Sequence, residues 1–121
     1  MKTLYKHAEK LTEAINEFEK ENINLEGKMV RSKEALKDLD KLLKKGLKFY
    51  NEIIESKVYE TYPVLAIPMA KVSELTGRLE ITEANAKKLN MENSFQIWQQ
   101  LEVALAVLAC TYLEVIDNEN V

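Results

Sequence analysis

Residues 94–116 read SFQIWQQLEVALAVLACTYLEVI. Phe95, Trp98, Leu101, Leu105, Leu108, Tyr112 and Ile116 recur at three- and four-residue steps, the spacing that puts side chains on one face of an α-helix. Between Val103 and Cys110 the opposite side is apolar as well. A helix apolar all round is buried all round. This stretch is therefore expected to be the central helix of a bundle, a packing face between subunits, or both. Its longest uninterrupted apolar run is eight residues, against about twenty for a bilayer span, so no membrane partner is expected.

Upstream, the same period organises the chain. Leu4, Ala8, Leu11, Ile15 and Phe18 form an apolar stripe over 3–19, with glutamates and lysines between them. Asn22, Asn24 and Gly27, all poor in a helix interior, then predict a break near 22–30. The heptad spacing nevertheless runs on through Asn22, Leu25 and Met29 to Leu36, Leu39, Leu43 and Tyr50. Two arrangements follow: a helical hairpin turning at Gly27, or one long coiled coil with Asn22 setting the register. A glycine costs a helix about 1 kcal/mol, which favours the hairpin.

Ser32 is placed as the N-cap of a second helix over 32–60, in which Gly46 allows close packing or a mild bend. Residues before proline avoid the α region, so a connector is expected from Thr61 towards Pro68. A third helix should then end at Gly77, and a short one should run from Thr82 to Leu89. Ser94 or Asn93 caps the last helix, which is expected to reach about Ile116 before a frayed tail. The fold class is all-α: one domain over 1–121, a bundle of four to five helices, with a long N-terminal hairpin or coiled coil and a buried C-terminal helix.

Composition agrees. A chain of 121 residues has room for one core. Three glycines and two prolines are too few for a sandwich, a barrel or a Rossmann unit. A single cysteine, Cys110, excludes an internal disulfide, and a single histidine, His7, excludes any site built on two imidazoles. The net charge of −3 gives no global signature for nucleic acid. Residues 1–6 open into a charged helical pattern rather than an apolar leader, so a cytoplasmic protein without a cofactor is expected.

The strongest charge pattern lies between Lys28 and Lys48, with eight basic and three acidic residues. At 100° per residue Lys33, Lys37, Lys41, Lys44 and Lys48 fall within an arc of about 80°, opposite the leucines. Such a rail could follow a phosphate backbone. A solvated helix face is the favoured reading of this pattern, which contains neither an arginine fork nor interleaved aromatic residues.

Two carboxylate pairs, Glu52 with Glu55 and Glu114 with Asp117, share a spacing that resembles the magnesium-binding motifs of helical all-α nucleotide pyrophosphohydrolases. That family carries a denser acidic cluster and a closer partner motif, whereas here 58 residues lie between the pairs. A metal-dependent nucleotide hydrolase is accordingly a remote reading. Glu102 lies beside the apolar face of the last helix, where a carboxylate should be paired, hydrogen-bonded or raised in pKa. Cys110, among Val107, Leu108 and Ala109, reads as a small buried hydrophobe. At the level of the fold only, Phe49-Tyr50-Asn51-Glu52-Ile53 in a middle helix and the long apolar last helix resemble the small helical subunits of CRISPR effector complexes. The basic residues of that group are missing, and no site is carried over from it.

Two functions stand out. One is a non-enzymatic protein–protein interaction protein: an adaptor, an inhibitor or a small subunit of a larger assembly. The other is a small nucleic-acid-binding subunit that uses the lysine-rich face of residues 28–48. Excess apolar surface also predicts a homodimer. Its contact would run through the N-terminal helix (Leu11, Ile15, Phe18) or through the last helix (Trp98, Val103, Val107).

Overall fold

The computed structural model describes residues 2–23, 26–27, 32–85 and 91–119, with side chains described for 3–23, 26–27, 32–79 and 95–119. Among the described residues five α-helices follow in order: α1 (Lys2–Asn22), α2 (Lys33–Ser56), α3 (Val58–Thr61), α4 (Ala66–Asn85) and α5 (Met91–Glu119). A 3-10 turn (Pro63–Leu65) separates α3 from α4. The all-α bundle is as the periodicity predicts.

The first two helices form a hairpin rather than one continuous rod. Gly27 has φ +77°, a left-handed conformation that a glycine adopts without strain. Leu25 and Met29 of the heptad line lie outside the described residues. Ser32 caps α2 as expected, its Oγ accepting from the Ala35 N–H at 3.0 Å. The expected helix over 32–60 instead ends at Ser56. Lys57 adopts φ +56°, and its N–H reaches the carbonyls of Ile53 and Ile54 at 3.1 and 3.3 Å, before the short α3 restarts at Val58.

α5 is the hub, packed on α1, α2 and α4, with α4 lying chiefly against α5. The core joins Leu11, Ile15 and Phe18 of α1, Leu39, Leu43, Phe49 and Ile53 of α2, and Leu101, Leu105, Leu108 and Tyr112 of α5. The rings of Phe49 and Tyr112 meet edge to face at 5.8 Å and 76°. Gly46 sets the approach of α2 to α5. A Cβ there would lie 3.1 Å from Leu105 Cγ and 3.3 Å from its Cβ, and would run into Cδ1. Close packing, not a bend, is what this glycine provides.

The C-terminal half departs from expectation in three places. Gly77 does not stop the third helix: α4 runs through it to Asn85. Thr76 Oγ1 donates to the Val72 carbonyl at 2.7 Å, and Val72, Leu75 and Leu79 keep packing on the core across that turn. Tertiary contact outweighs a local cost of about 1 kcal/mol. Residues 82–85, read as the start of a separate short helix, continue α4, and 86–90 lie outside the described residues. α5 begins at Met91, ahead of the expected cap at Asn93 or Ser94, and extends past Ile116 to Glu119.

Candidate interaction surface

The last helix is central, but only on three sides. Leu101, Leu105, Leu108 and Tyr112 are fully buried, whereas Val103 is 53% exposed and Val107 is 49% exposed. Cys110, expected in the interior, is exposed as well. The helix is apolar all round, yet among the described residues the bundle supplies neighbours only for the faces turned to α1, α2, α4 and the 3-10 turn. Both valines therefore stand on the outer side, next to Ile67 of α4, which is 75% exposed.

Together these residues line a groove of about 900 Å³ between α4 and α5. Ile67, Pro68 and Ala70 form one wall, and Val103, Ala104 and Val107 the other. Gln96, Gln99, Gln100, Lys71 and Glu74 complete the lining. The only charges among them form an ion pair, Lys71 Nζ to Glu74 Oε2 at 3.7 Å. The groove is thus an apolar strip with a neutral amide border, a composition suited to another protein's surface rather than to a charged metabolite.

Of the expected self-association residues, Val103 and Val107 belong to this face. Trp98 is half-buried and packs on the core. Leu11, Ile15 and Phe18 are 3–5% exposed, enclosed by the chain's own bundle, so they present no surface to a second copy. The α4 wall was not anticipated. Val64, Leu65, Ile67, Met69, Val72 and Leu75 leave little polar contrast around α4, so no outward face stands out in the sequence.

Lys33, Lys37, Lys41, Lys44 and Lys48 are all exposed along α2. Carboxylates interrupt the rail, however. Asp40 Oδ2 lies 3.0 Å from Lys44 Nζ. Glu17 and Glu21 of α1 share a shallow depression with Lys41, Lys45 and Asp38. The positive potential along the rail is weakened accordingly.

Three other titratable pairs tie α1 into the bundle. His7 Nδ1 meets Glu52 Oε2 at 2.6 Å. Tyr5 donates to Asp117 Oδ1 at 2.7 Å, and the adjacent carboxylate pushes the phenol up to about 12. One member of each carboxylate pair is therefore engaged across the α1 interface. Among the described residues no three histidine, cysteine or acidic side chains gather as a metal site would require.

Glu102 is 2% exposed. It is hydrogen-bonded and raised in pKa, as expected, and its neighbour is a carboxylate, Glu19 of α1. Burial, then the hydrogen bond to Glu19 and its negative charge, push Glu102 up to about 8. The two carboxyls thus share a proton, while Glu102 Oε1 has no hydrogen-bond partner among the described residues.

Averaged over a window, residues 95–119 reach a mean hydropathy of 1.3, so by length and composition this helix could cross a membrane; 39% of the window is buried in the bundle. The uninterrupted run of eight residues understates this, because charges are sparse rather than absent. No protein-family model, curated protein or solved structure matches this chain.

Proposed function

We propose that this chain is a non-enzymatic helical interaction protein, an adaptor, inhibitor or small subunit of a larger assembly, that binds through the outer face of α4 and α5. The carrying observation is the apolar groove flanked by Ile67, Val103 and Val107, three side chains about half or more exposed beside the buried apolar stripe of α1 and the buried leucines of α2. Contiguous exposed apolar surface in a small domain marks a contact site. The non-catalytic reading is supported by the use to which the titratable groups are put. His7, Asp117 and Glu102 each join α1 to another helix. A soluble, cytoplasmic setting without cofactor or membrane fits a helix that packs on three others and carries the buried Glu102 near its middle.

The test is co-purification from the native host with tagged wild-type chain and with Val107→Asp. Because Val107 is half exposed, the substitution should leave the helix content intact. A partner, of whatever identity, retained in stoichiometric amount by the wild type and lost by the variant is the expected result. Identical retention by both proteins would place the contact elsewhere.

The five exposed lysines of α2 support the second reading, a small nucleic-acid-binding subunit. It requires binding to single-stranded or duplex nucleic acid that weakens steeply with salt and disappears in Lys37→Glu/Lys41→Glu/Lys44→Glu.

A further inference from the structure

On the outer side of α5 the exposed residues Gln96, Gln100, Val103, Val107, Cys110 and Glu114 follow one another at steps of four and three. This is the spacing of a two-helix seam, and it runs on the side of the helix opposite the buried one. Its chemistry is graded: valines at the centre, an amide or thiol next, and polar groups at both ends.

The steps are symmetric about residue 105. A second copy laid antiparallel, with the two-fold axis at that level, sets Val103 against the other copy's Val107, Gln100 against its Cys110, and Gln96 against its Glu114. Apolar then meets apolar at the centre, and at each end a glutamine amide can donate to a carboxylate. A parallel copy would instead place Glu114 on Glu114, a like-charge contact. Around the seam, the Lys71–Glu74 pair contributes no net charge to oppose a second identical surface.

We infer that the occupant of the α4–α5 face is a second copy of this chain, joined antiparallel along α5 by a two-fold axis near residue 105, with Ile67 of each chain closing the flank. This rests on the reading of that face as a contact surface and names what covers it. The arrangement is isologous, so it closes at two chains.

Cys110 reports the direction. In the antiparallel pair the two Cys110 residues are ten positions apart along the helix, about 15 Å. That is beyond the roughly 7 Å that a disulfide spans between Cα atoms. In a parallel pair they would be adjacent.

The test is light scattering over a wide range of concentration, with circular dichroism on every variant. The wild type should show the mass of two chains and, under mild oxidation, form no Cys110 disulfide within the dimer. Val107→Asp should keep its helix content and weaken dimerisation about a hundredfold, since it buries a charge against the other copy's Val103. If aspartate lowers the helix content, Val107→Lys supplies the same charge test with a better helix former. In a Cys110→Ala background, Val103→Cys mixed with Val107→Cys should cross-link to a mixed dimer. A wild type with the mass of one chain throughout would overturn the inference. So would a dimer insensitive to both charged variants, or rapid Cys110–Cys110 linkage. A single-chain mass together with a host partner lost in Val107→Asp would overturn the second copy alone and leave the contact surface standing. A single-chain mass with no such partner would overturn both.

Discussion

Replacing Glu102 by glutamine should stabilise the protein at neutral pH, although the residue is 2% exposed. The unfolded carboxyl ionises near its ordinary value of 4.5, whereas the folded one holds its proton up to about 8. Between those values the unfolded state releases a proton that the folded state keeps, so stability falls as pH rises. Below pH 4.5 this penalty is absent, and above about 8 it is complete. At pH 7 the gap from the ordinary value is about 2.5 pH units, or about 3 kcal/mol at about 1.4 kcal/mol per unit. Glutamine stays neutral, keeps the shape and offers its amide to Glu19, so Glu102→Gln should remove the penalty without opening a cavity. Urea unfolding at pH 5 and pH 7 measures it. The wild type should lose about 2–3 kcal/mol relative to the variant between those values, and the variant should be the more stable at pH 7. Parallel pH profiles for the two proteins, or a variant less stable than wild type at pH 7, would refute the reasoning.

Three further substitutions probe the bundle. Gly46→Ala drives a methyl into Leu105 at the α2–α5 crossing and should cost about 1–3 kcal/mol in chemical denaturation, as overpacked sites do. Gly77→Ala meets nothing within 4 Å in the middle of α4 and should raise stability by up to about 1 kcal/mol; a lower melting temperature would show that the helix is not continuous there. Lys37→Glu/Lys41→Glu/Lys44→Glu alters exposed positions only and should leave unfolding within about 1–2 kcal/mol of wild type.

What could be read from the sequence was local and periodic. The α1 stripe from Leu4 to Phe18 alternates with charges, so one face alone can be buried, and it is. Ser32 announces a helix start because its hydroxyl satisfies an N–H three residues on, whereas Gly46 by itself leaves close packing or a mild bend open, and the place of Leu105 beside it decides. Helical phase alone placed the five lysines of α2 outside. The failures came where neighbours decide. Gly77 carries the signal of a helix end, but Val72, Leu75 and Leu79 hold α4 together on either side of it. Val103 and Val107 are no less apolar than Leu101 and Leu105; only the position of α1, α2 and α4 around α5 determines which pair is covered. The carboxylate opposite Glu102 lies 83 positions away in sequence, and no spacing rule links the two.

Cys110 gives the most direct test of the central claim, because it is the free thiol on the face assigned to binding. The rate at which iodoacetamide alkylates it should be that of an accessible thiol in purified Val107→Asp and should be far lower in purified wild-type chain, where a second copy covers the face, and in wild-type chain in extract of the native host. A Cys110 that reacts at one rate in all three samples would mean that nothing covers the outer face of α5, and would contradict the assignment of that face to binding.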